Sequence, residues 1–133
     1  MRDKGVTMLE LIIVLVLLAM LAGLAMLNLS PTRERTLDSE AINNLALIQR
    51  SEKGYKIENN SFYPAPPTVS INNIALINQN LGLVLPTSAS RAWNYEVWST
   101  GCSRATRTGA NVRYWYLPFS DDYNKPKPTA GCP

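Results

Sequence analysis

Glu10 is the residue of this chain best placed to do chemistry, because it stands at the entrance to seventeen consecutive uncharged, almost wholly apolar residues, Leu11 to Leu27. A carboxylate within a hydrophobic helix costs about 2.5–3.5 kcal/mol at mid-bilayer on insertion scales, less near an interface, and such groups usually have partners. A bare anchor has no use for one. If the chain is cut between Gly5 and Val6, the new α-amine lies one helical turn from Glu10, and the same amine on a neighbouring copy can neutralise it. The carboxylate then acts as an assembly device.

Other chemistry is scarce. There is no histidine, no Gly-rich phosphate loop before a helix and no cysteine cluster. Zinc, nucleotide, Cys-His and Ser-His chemistry therefore have no residues to use, and neither a catalytic residue nor a cofactor is expected. Asp121 and Asp122 with Asn124 offer oxygen ligands to Ca²⁺, but two adjacent acids in a loop are common, and a solvated turn with no metal is the simpler reading.

Cys102 and Cys132 are the only cysteines. If the segment holding them is exported, an even pair reads as a disulfide closing a loop of about 31 residues, worth roughly 3–4 kcal/mol on the chain-entropy model. A head of about 75 residues buries little surface and leans on such a staple.

The elements that position these groups follow from the apolar pattern. A helix rises about 1.5 Å per residue, so Val6 to Leu27 would span roughly 33 Å, against a hydrocarbon core of about 30 Å. Arg2 and Lys4 before the run predict a cytoplasmic start and an exported remainder. A secretory signal peptide is the rival, with Gly23-Leu24-Ala25 as a small-x-small cleavage site. The run exceeds the usual h-region of about 7–15 residues, and an acid at its entrance serves nothing there. Ser30-Pro31 loosens the helix or caps a renewed one. Leu37, Ala41, Leu45, Ile48 and Tyr55 then recur at steps of three and four, with a break at Ser51/Glu52. This predicts an amphipathic helix over 31–57.

All eleven aromatic residues lie from Tyr55 onward. Glu58-Asn59-Asn60-Ser61 ends the helix, and Tyr63-Pro64-Ala65-Pro66-Pro67 reads as an extended loop. A short helix is predicted over 72–80 with Ile74, Leu76, Ile77 and Leu81 inward. Trp93, Tyr95 and Val97 alternate with Asn94, Glu96 and Trp98, and Val112, Tyr114 and Tyr116 alternate with Arg113, Trp115 and Leu117. Both stretches read as strands, paired as antiparallel neighbours across 101–111 and laid on the spine helix. The closing run, 121–133, reads as a surface loop tied back by Cys132. The fold class expected is α+β: a long N-terminal helix, half membrane and half amphipathic, on a small antiparallel sheet.

Lys4-Gly5-Val6-Thr7-Met8-Leu9-Glu10 and the apolar run after it resemble the N-terminal signature of type IV pilins and of the related pseudopilins of type II secretion. The resemblance implies that a prepilin peptidase cleaves after Gly5 and N-methylates Val6, which stands where phenylalanine is usual, and that Glu10 selects and registers subunits. It implies a leader over 1–5, a transmembrane and assembly helix over 6–30, the amphipathic half of the spine over 31–57 and a globular head over 58–133. The Cys102/Cys132 pair is similar to the disulfide-closed C-terminal loop of pilins, which pseudopilins generally lack.

The function implied is a structural subunit, not an enzyme. It would be held single-pass in the inner membrane and then polymerised into an extracellular filament of its own copies. Its partners would be the peptidase, the inner-membrane assembly machinery and, before assembly, the lipid bilayer. The alternatives are a secretion pseudopilin, or a minor subunit binding DNA or surfaces through Arg104, Arg107 and neighbouring cations. Cleavage would remove two cations and one acid, lowering the formal charge from +3 to +2.

Overall fold

The computed structural model describes residues 7–26, 29–109, 111–120, 126–128 and 131–132, leaving aside the side chains of 25–30. It divides into two compact units, one ending at Thr36 and one beginning at Leu37. Helix α1 covers Met8–Met26 and helix α2 covers Leu29–Asn59. Pro31 falls in the first turn of α2, where its missing N–H has no intrahelical acceptor to lose, so a proline is accommodated there without breaking the helix. Ser30 lies inside this helix and is not its N-cap, which corrects the expected cap at Ser30 with Pro31 in the first position.

From Leu37 onward, α2 carries the stripe that the periodicity predicts. Ala41, Leu45 and Ile48 are fully buried. The supposed break is a correction: Glu52 continues the buried face four residues after Ile48 and is itself 0% exposed. A polar residue at a helical core position looks like an interruption in sequence, yet the helix geometry places it inward regardless of its chemistry. The helix ends where the turn-prone residues predict, and Asn60 beyond it adopts a left-handed φ of 56°.

The head adds strand β1 (Ser70–Ile71), helix α3 (Ile74–Leu81) and strands β2 (Trp93–Trp98), β3 (Cys102–Arg107) and β4 (Tyr114–Pro118). Asn73 caps α3, its side chain accepting from the N–H groups of Ala75 and Leu76 at 3.0 and 3.3 Å, and Gly82 closes the helix at φ 62°. The left-handed cap suits glycine, which has no Cβ to clash. Ile74, Ile77 and Leu81 point inward as predicted, but Leu76 is 41% exposed. Eight residues make barely two turns, and the apolar stripe has room for only three of the four.

The four strands form one antiparallel sheet in the order β1-β2-β3-β4. This corrects the expected pairing. β2 and β4 are not neighbours; β3, read as part of their connection, lies between them, with Tyr95 opposite Ala105 and Ala105 opposite Trp115. Residues 112 and 113 also precede β4 instead of belonging to it. One face of the sheet lies on α2. Trp93 Nε1 donates to the Leu37 carbonyl at 2.8 Å, Asn44 Nδ2 to the Tyr95 hydroxyl at 2.8 Å, and Trp115 Nε1 to Asp38 at 3.3 Å. Tyr95, Val97, Ala105, Leu117 and Phe119 join the α2 stripe and α3 in one core.

Candidate functional site

Helix α1 begins with a cap. The Glu10 N–H donates to the Thr7 side-chain oxygen at 3.3 Å, and the Leu11 N–H donates to the Thr7 carbonyl at 3.2 Å. Thr7-x-x-Glu10 is thus spaced as a capping box, with an acid in the first turn where the helix dipole favours negative charge. That spacing was legible in the sequence but is overshadowed there by the apolar run. Glu10 is exposed, at the start of the helix it would register. Gly5 and Val6, the expected cleavage and methylation residues, lie outside the described residues.

Behind Glu10 the helix is apolar on every side. Thirteen large apolar side chains from Met8 to Leu24 are about half exposed or more. An amphipathic helix would show a polar stripe; one that is apolar all round belongs inside an apolar environment. At about 1.5 kcal/mol per side chain fully buried, covering thirteen half-exposed ones gains on the order of 10 kcal/mol, a few times the cost of taking one carboxylate in. No described helix is by itself long and apolar enough to cross a membrane. The nineteen residues of α1 measure about 28 Å, and the 33 Å expected from the sequence needs Val6 and Leu27, which lie outside the described residues.

The head presents a second set of candidates. Cys102 and Cys132 are joined in a disulfide, with Cα atoms 6.0 Å apart, and pack with Trp98 and Tyr116. Lys127 exchanges backbone hydrogen bonds with Tyr116 at 2.9 and 3.0 Å, so this part of the closing run extends the β4 edge instead of looping over the surface. Gly131 seats against the Tyr116 ring, where a Cβ would come within 2.6 Å.

The basic residues are largely engaged within the head. Arg104 bonds Glu96 at 2.9 Å and lies over Trp98, 4.9 Å from the ring centre. Arg107 donates to the Ala92 carbonyl at 2.8 Å, and Arg113 pairs with Asp38 at 3.0 Å. Such pairs engage part of each guanidinium within the head. Asp121, Asp122 and Asn124 lie outside the described residues. Among the described residues there is no group of acidic, cysteine or histidine side chains placed to hold a metal ion.

Comparison with known proteins fits this division. Residues 1–26 match the family described as the prokaryotic N-terminal methylation motif. The chain is 30% identical over 94 residues to the type II secretion system core protein G of Aeromonas hydrophila, and 31% identical over 61 residues to the protein of that name from Pectobacterium carotovorum subsp. carotovorum. The chain carries the N-terminal signature of type IV pilins and pseudopilins and is similar to a named pseudopilin-type secretion protein. The alignments cover 71% and 46% of this chain, and 59% and 39% of the two relatives. No solved structure matches.

Proposed function

We propose that this chain is the polymerising subunit of a pilus-like filament. In this reading a prepilin peptidase removes residues 1–5 after Gly5 and methylates Val6, α1 waits in the inner membrane with the head exported, and subunits then bundle through α1. The observation that carries it is an exposed helix, apolar on all sides, that opens on a single carboxylate. Helix packing among copies supplies the drive, and Glu10 pairing with the freed terminus of a neighbour fixes register. Repetition in every subunit turns a small contact into a strong fibre.

Two observations bear on the kind of filament. The names of the matched relatives favour a type II secretion pseudopilus, whereas the Cys102–Cys132 closure favours a pilus by resemblance. Deletion separates them: loss of an exported enzyme without loss of long surface fibres supports the secretion reading. Binding of DNA or surfaces by the head has less support, because Arg104 and Arg107 are held by internal partners.

The test of the main reading uses two substitutions at Glu10. Glu10→Gln keeps a side chain able to cap the helix but removes the charge, and Glu10→Ala removes both. Losing one partner of a desolvated charge pair costs about 2–5 kcal/mol, more than tenfold in subunit affinity. Both variants should insert in the membrane and fail to yield sedimentable filaments. Normal filaments from both would overturn the proposal.

A further inference from the structure

Glu52 is a fully buried acid on the core face of α2. Its Oε2 accepts a hydrogen bond from the Tyr63 backbone N–H at 2.9 Å, while its Oε1 is buried with no hydrogen-bond partner among the described residues. A half-satisfied carboxylate in an apolar core is costly when charged and much less so when neutral. It also sits at a junction. Tyr63 meets Tyr55 of α2 edge to face, with ring centres 5.7 Å apart, and its hydroxyl accepts from Asn80 Nδ2 of α3 at 3.2 Å. One carboxyl group therefore links the end of α2, the Tyr63-Pro64 segment and α3.

We propose that Glu52 is a protonation switch in the head: as the neutral acid it locks the Tyr63 segment to α2, and loss of its proton loosens that corner, including the Tyr63 tie to α3. The groups that face it leave it uncompensated. Tyr63 comes from the loop, with Tyr55 of α2 beside it, and α3 contributes the neutral Asn80 amide; among the described residues no cation acts on the Glu52 carboxyl. Burial, only partly offset by the Tyr63 N–H, pushes the acid from 4.5 to about 7. The chain has no histidine, the usual source of titration between about pH 5 and 8, so this acid would supply a response that the composition otherwise lacks.

The sign follows from the direction of the shift. Between pH 4.5 and 7 the folded head holds a proton that the unfolded chain has released. The contribution of Glu52 is complete below the unfolded value and is lost as pH rises through the folded one. From pH 5 to 8 the folding constant should fall on the order of 50-fold, whereas an acid held by a cation makes its gain below about pH 5 and leaves this window nearly flat.

The experiment is denaturant unfolding of the full chain in detergent micelles, at several pH values from 5 to 8, followed by tryptophan fluorescence. All three tryptophans lie in the head, so the signal reports that unit alone. Glu52→Gln keeps an acceptor for the Tyr63 N–H and should flatten the dependence to under about threefold. Because the α-amine is common to both proteins, it cancels in the comparison. Equal slopes in the two proteins would overturn the proposal. Should the variant not fold, carboxyl ¹³C chemical shifts of Glu-labelled wild-type chain decide: one glutamate titrating near 7 supports the switch, and all glutamates titrating below 5 overturn it.

Discussion

Helix α1 and the head solve opposite problems with similar amounts of apolar residue. In the head, Trp93, Tyr95, Leu45, Ile48 and Leu117 are fully buried against one another. In α1, Leu11, Val14, Leu17, Leu18 and Leu21 are each at least half exposed, and no polar stripe interrupts them. The head spends its apolar surface on its own fold. α1 leaves its apolar surface uncovered. The contrast teaches that hydrophobicity alone does not make a core: a helix stabilised by its own backbone hydrogen bonds can hold apolar surface open, whereas strands need neighbours to exist.

This contrast can be broken most sharply by truncating one large side chain in each region. Trp93→Ala should cost about 3–5 kcal/mol of head stability in a denaturant titration. Leu17→Ala should leave the head within about 0.5 kcal/mol of wild type while weakening self-association. A destabilised head in the Leu17 variant would mean that the two regions are not energetically separate.

Next in size is the disulfide. Replacing Cys102 and Cys132 together by Ala should cost about 3–4 kcal/mol, because the closed loop is long and the head is small. The helicity of α1 should be unchanged by circular dichroism. The smallest effect is at the α3 cap: Asn73→Ala removes the acceptor for two backbone N–H groups and should cost about 1 kcal/mol. A loss well above that would show that the cap also holds the packing of Ile74 and Ile77 on the core.

Much of this architecture is legible residue by residue. The period of α2 through Leu37, Ala41, Leu45 and Ile48 is visible because a helix repeats its inward positions every three or four residues, and β2 is visible because a strand repeats them every second residue. β3 escapes the same reading. Cys102-Ser103-Arg104-Ala105-Thr106-Arg107 has no apolar alternation, yet Ser103 and Ala105 are fully buried. Their burial is conferred by β2 and β4 on either side, and a two-residue edge strand such as β1 carries too little pattern to announce itself. At the helix entrance, the acid and the apolar run stand out, whereas the capping role of Thr7 is a matter of backbone geometry.

The sequence by itself determined what depends on neighbours along the chain: an apolar rod opened by Glu10, an amphipathic spine, a turn after Glu58, and two cysteines 30 residues apart. Tertiary structure alone decided what depends on neighbours across space. It placed β3 between β2 and β4, closed the disulfide beside Trp98 and Tyr116, and carried Glu52 into the core with one oxygen unanswered. The reason is physical: periodicity is written into the chain by local geometry, but the solvation of a charge is set by every group that folds around it.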